Sequence, residues 1–126
     1  MMIAILMSCS LRTSAREHEL KLIRCTCYCQ GEFTNGNKEY PSMTPTESIC
    51  AGRYEDIGKV AILYQRNADG SVGEYIGMFE FRDTGSHESL KNGTSIDVYR
   101  SNLERCYEWI AQYGDYVYIQ YVDAKG

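Results

Sequence analysis

The stretch RCTCYCQG places Cys25, Cys27 and Cys29 at alternate positions, and Cys9, Cys50 and Cys106 bring the total to 6 cysteines. Thiols in that number could bind a metal, form disulfides, or attack a substrate with His18 or His87 as the base. A tetrahedral zinc needs its sulfurs within roughly 4 Å of one another. Alternate residues of a strand point in parallel roughly 6.6–7 Å apart, so three of them do not converge on one ion. In a helix Cys27 would face away from its two neighbours. No paired C-x-x-C element completes such a site, so no metal is expected. Disulfides belong to exported chains, and free thiols are the expectation here. Cys25, Cys27 and Cys29 then form one buried stripe with Ile23, while Thr26 and Tyr28 take the other face.

A carboxylate offers the second chemistry. Asp83-Thr84-Gly85-Ser86 resembles the D-[ST]-G-[AS] motif of retroviral-type aspartic proteases, short chains that pair so that two aspartates share one proton. The resemblance implies that Asp83 activates water while Thr84 and Gly85 shape the tight loop around it. It covers four residues, and Arg82 stands where that family carries an apolar side chain. The later apolar-apolar-Gly element of the family is missing from residues 86–126. Asp-Thr-Gly is also ordinary turn chemistry, as is the Asn92-Gly93-Thr94 triplet. A small enzyme built on this loop, or on a Cys–His pair, is thus the alternative reading. Glycine-rich phosphate cradles are missing, since GEYIG at residues 73–77 lies inside a strand pattern with no helix behind it. No cofactor is expected.

Chemistry of either kind needs a fold to position it, and 126 residues suit one domain spanning 1–126. Hydrophobic residues at 44% and charged residues at 24% exclude a disordered acidic chain. The apolar start MMIAILMSC carries Leu6-Met7-Ser8-Cys9, which loosely resembles a lipoprotein cleavage box. No Lys or Arg precedes it, as a secretion signal requires, and no run reaches the ~18 apolar residues of a spanning helix. A cytoplasmic protein without membrane contact is expected.

Residues 2–9 read as a strand, as do residues 19–29, where Ile, Cys, Thr and Tyr suit a pleated surface. Ser14 and Glu17 form a capping box that offers a competing helix for the first turn or two before this β-prone run. A turn is expected at Asn35-Gly36. Thr44-Pro45-Thr46-Glu47 has the form of a helix start and Gly52 that of a stop, predicting a short helix near 45–51. Val60–Gln65 and Glu74–Phe81 flank an Asn/Asp/Gly-rich segment, the pattern of a hairpin, with Tyr75, Gly77, Phe79 and Phe81 on one face. Ser101 and Glu104 predict a helix over 102–113 that ends at Gly114 and packs through Leu103, Cys106, Tyr107 and Ile110. Residues 95–122 resemble a βαβ unit, and the last strand, 116–122, carries bulk on both faces. The fold class is α+β: a mainly antiparallel sheet of about five or six strands with one amphipathic C-terminal helix.

Composition then points to binding. The chain holds 11 tyrosines against 3 phenylalanines and 1 tryptophan, and its net charge is −4. Acidity with scattered Lys and Arg speaks against direct contact with a nucleic-acid backbone. Tyrosine buries much area with few rotors to freeze and is favoured in recognition surfaces. Glu104, Glu108, Asp115, Tyr116, Tyr118 and Tyr121 are the expected contact residues for a partner protein with a basic groove, including one that itself handles nucleic acid. In size and composition the chain is similar to the small inhibitors that phages and mobile elements encode, anti-CRISPR and other anti-defence proteins among them. The leading expectation is a non-catalytic, acidic, tyrosine-rich binding module of that kind.

Overall fold

In the computed structural model, residues 19–29 and 46–123 are described. The strands β1 (Lys21–Tyr28), β2 (Ile49–Gly52), β3 (Lys59–Arg66), β4 (Val72–Thr84), β5 (Ser95–Tyr99) and β6 (Tyr116–Asp123) are joined by a 3-10 turn (Tyr54–Asp56) and two helices, α1 (Glu88–Lys91) and α2 (Leu103–Tyr113). The strands close into a barrel in the order β1-β5-β2-β4-β3-β6. Four seams are antiparallel; β1–β5 and β2–β4 are parallel. Strand number and mainly antiparallel pairing follow the sequence reading, and closure is the added feature. Closure leaves no unpaired sheet edge among these strands.

Alternation fills the barrel. Ile23 and Cys25 of β1, Cys50 of β2, Ala61 and Leu63 of β3, Phe79 and Phe81 of β4, Ile96 and Val98 of β5, and Val117 and Ile119 of β6 form one buried cluster. Small side chains opposite large ones make the layers fit, with Cys50 paired to Phe81 and Ala61 to Phe79. Ile23 and Cys25 face inward as the alternating pattern requires. Three other expectations, the strand at 2–9, the Ser14–Glu17 capping box and the Asn35-Gly36 turn, lie outside the described residues.

The short helix near 45–51 is not formed: Glu47 and Ser48 make a turn, and Ile49–Gly52 is a fully buried strand. Pairing to β4 on one side and β5 on the other outweighs the local capping pattern. Gly52 is therefore no helix stop. A Cβ there would stand 2.6 Å from the Phe81 ring, so only glycine allows β2 to lie this close.

Two further expectations change. β1 lies between β5 and β6, parallel to the first and antiparallel to the second, so residues 95–122 form no parallel βαβ pair. The aromatic face of β4 breaks at Tyr75. Leu63 pairs with Gly77 but Tyr64 with Tyr75, and the extra residue, Ile76, turns toward the core. Tyr75 is left outside, edge-to-face with Tyr64 at 5.9 Å.

Phe81 is the largest fully buried side chain. Phe81→Ala should cost about 3–5 kcal/mol of stability, through lost burial plus an unfilled cavity, readable as a lower urea midpoint with the slope unchanged.

Candidate functional site

Helix α2 carries most of the expected contact residues and starts from a local cap. Asn102 Oδ1 accepts from the Arg105 amide at 2.9 Å, replacing the expected Ser101–Glu104 box. Gly114 closes the helix at φ 75°, donating to the Ile110 carbonyl at 2.8 Å. The buried face consists of Cys106 and Trp109, with Tyr113 packed beside them. Trp109 meets Phe79 edge-to-face at 5.6 Å and Tyr113 at 4.6 Å, which joins the helix to the barrel core. The predicted inward face is thus wrong in part. Only Cys106 points in, while Leu103, Tyr107 and Ile110 are 54%, 62% and 40% exposed. Helical spacing alone admits either stripe, and the indole decides between them because it buries the most area.

A cation fixes the helix to the barrel. The Arg100 guanidinium, nine-tenths buried, lies 4.9 Å from the Trp109 ring and 5.6 Å from the Phe79 ring. Its Nη2 donates to the Glu47 carbonyl at 2.7 Å and its Nη1 to Glu47 Oε1 at 3.2 Å. The same carboxylate accepts from Arg105 Nε at 2.7 Å and Nη2 at 2.6 Å, and from the Ser101 amide and hydroxyl at 2.8 Å. The paired Arg105 bonds, then those from Ser101, hold the Glu47 carboxyl far below the usual carboxylate range. Glu47, expected inside a short helix, instead ties the start of β2 to the start of α2. A cleft of about 400 Å³ beside this clamp is lined by Ile76, Met78, Phe79, Trp109, Gln112 and Tyr113 among others.

The six predicted contact residues separate. Glu104 and Glu108 are exposed on α2, and Asp115 and Tyr116 follow at its C-terminal end, also exposed. Tyr118 and Tyr121 have structural duties. The Tyr118 hydroxyl donates to the Gly70 carbonyl in the β3–β4 loop. Tyr121 stacks on Phe81 at 5.7 Å with an interplanar angle of 5°, and burial raises its hydroxyl to about 12. Leu103, Tyr107 and Ile110 were missed as surface residues because an apolar stripe reads as core.

Asp83 is 2% exposed; it accepts from the Tyr28 hydroxyl at 3.0 Å and from the Thr84 amide at 2.9 Å. Its carboxylate holds β1 to β4 across two intervening strands. His87 caps α1 and meets Ser89 Oγ at 2.8 Å, which meets Ser95 Oγ at 2.7 Å. The cleft beside it, about 480 Å³, is lined by Arg24, Thr26, Asp97 and Tyr116 but no cysteine. Asp97 is bonded by Thr26, and burial raises its carboxyl. Among the described residues no group of three or more His, Cys, Asp or Glu side chains is arranged to hold a metal ion, and no helix is long and apolar enough to cross a membrane. No family model, curated protein or solved structure matches the chain.

A carboxylate depressed in the folded state contributes stability that is complete above its unfolded value near ~4.3 and lost as pH falls toward the folded one. Glu47→Gln should therefore lower the melting temperature at neutral pH and flatten its fall in acid. Melting curves followed by circular dichroism across the acid range check this, and parallel curves for the two proteins would contradict it.

Proposed function

We propose that the chain is a non-catalytic protein-binding module whose docking surface is the outer side of α2. The carrying observation is that this helix is apolar on two sides. Cys106 and Trp109 enter the core, and Leu103, Tyr107 and Ile110 are turned to solvent. Glu104 and Glu108 continue round the exposed side, and Asp115 and Tyr116 extend it past Gly114. An aromatic centre with an acidic border suits a partner whose basic groove surrounds an apolar patch. Rigid anchoring by Trp109 and the Glu47–Arg100 clamp supports this reading, because a surface held in place loses little entropy on docking.

A protein that handles nucleic acid presents such a basic groove. The biological class this reading favours is a small inhibitor of such a protein, of the type phages and mobile elements encode. Size, acidity and the exposed aromatic helix are its support. The enclosure of Asp83 favours binding over the protease-like alternative.

Affinity capture from the native host, followed by a binding measurement with the captured partner, tests the proposal. Tyr107→Ala should weaken binding by about 2 kcal/mol, and reversing Glu104, Glu108 and Asp115 to lysine at least ~10-fold, more at low salt than at high. All four side chains are exposed; Tyr107→Ala should leave the melting temperature unchanged, whereas Glu108 pairs with Arg105 at 3.3 Å, so folding of the charge-reversed variant is verified by circular dichroism before binding is compared. Undiminished capture by both variants would overturn the assignment to α2.

A further inference from the structure

We propose that the cleft between α1 and the outer face of β1 and β5 binds a small zwitterion, a free α-amino acid, with its ammonium on Asp97 and its carboxylate on Arg24. The cleft holds about 480 Å³, within the ~300–1,000 Å³ that small-molecule sites occupy. Ile23 and Cys25 of β1, Ile96 and Val98 of β5 and Val117 of β6 enter the core, so the residues alternating with them face outward. The ladders then set Tyr116, Arg24 and Ser95 in one row across three strands, with Thr26 beside Asp97 in the next. All five line the cleft.

Two unlike charges share this face without meeting. Arg24 and Asp97 are diagonal neighbours, their Cα atoms about 8 Å apart by strand spacing and rise, and no ion pair joins them. Asp97 Oδ1 accepts from the Thr26 hydroxyl, while Oδ2 receives no hydrogen bond among the described residues. The exposed Arg24 guanidinium makes none among them either. A half-buried carboxylate with one open oxygen suits a positively charged donor, and a free guanidinium takes a carboxylate through two parallel bonds. An α-amino acid is the simplest small molecule that carries both groups side by side.

The hydrogen bonds that tie α1 to β5 favour binding over reaction. The Ser89 amide donates to His87 Nδ1 at 3.2 Å, and an amide only donates, so this nitrogen is an acceptor. Ser89 Oγ, 2.8 Å from the same nitrogen, therefore donates to it and accepts from Ser95 Oγ at 2.7 Å. Were Nδ1 to take the Ser89 proton, its new N–H would face the Ser89 amide, so His87 is a poor base for that hydroxyl. The buried Ser95 hydroxyl, its proton committed to Ser89, keeps its lone pairs for the ammonium beside Asp97. Leu90 and Tyr116 supply apolar surface for the ligand's side chain.

The test titrates the full chain with single L-α-amino acids up to about 10 mM, enough to reveal millimolar binding, and follows backbone amide resonances. At least one amino acid should shift the signals of Arg24, Thr26, Ser95 and Asp97. The carboxylic acid and the amine that carry the same side chain should each bind at least ~10-fold more weakly, since each lacks one charged group. Arg24→Gln and Asp97→Asn should weaken the amino acid by a similar factor. Should Asp97→Asn fail to fold by circular dichroism, Arg24→Gln, altered at an exposed side chain, decides alone. Tyr107→Ala, on the docking side of α2, should bind the amino acid as the parent does, which separates this site from that surface. No shift with any amino acid would overturn the proposal. So would equal binding of the one-charge analogues, undiminished binding by Arg24→Gln, or loss of binding in Tyr107→Ala.

Discussion

Closure of six strands into one ring is the constraint on which the other features depend. A ring this narrow has room for little beyond the side chains of its own inward residues, so where a ring as large as Phe81 or Phe79 enters it, a small residue stands opposite. Phe81 opposite Cys50, and Gly52 where the Phe81 ring leaves no room for a Cβ, are the clearest results. The same constraint explains the bulge at Ile76. Without an extra residue there, β4 could not keep both Phe79 inside and Tyr75 outside.

Helix α2 completes the core from outside the ring. Its indole adds an aromatic layer over Phe79, and Arg100 lies against both rings with its charge answered by Glu47. A buried guanidinium without that carboxylate would be costly, because desolvation is then uncompensated. The clamp therefore couples three separate segments, the turn before β2, the end of β5 and the first turn of α2. Anchoring on one face leaves the neighbouring apolar stripe of the helix, Leu103, Tyr107 and Ile110, exposed. That division of labour within eleven residues gives the molecule an apolar surface rather than only an apolar core.

Buried polar groups elsewhere act as ties. Asp83 receives the Tyr28 hydroxyl, and Asp56 receives Arg53 at 3.0 Å and Lys59 at 3.1 Å. Each brings together residues that the strand ladders alone would not join, and each satisfies a carboxylate that burial would otherwise destabilise. Asp83 thereby ties β1 to β4 in the described contacts.

Local chemistry alone determined strands at 19–29, 60–65, 74–81 and 116–122, each overlapping an observed strand, the helix ending at Gly114 and the mainly antiparallel class, because alternation and caps are properties of neighbouring residues. It also determined that Cys25 faces the same way as Ile23. Tertiary structure decided the rest. Ile49–Gly52 became a strand because two neighbours supply its hydrogen bonds, and no pattern within seven residues records them. The inward face of α2 was set by where Trp109 finds Phe79, since two apolar stripes on one helix are equivalent until a core exists. Tyr121 packs half-buried against the core and Tyr116 lies on the surface because β6 has neighbours on both sides and only one of its faces looks into the ring.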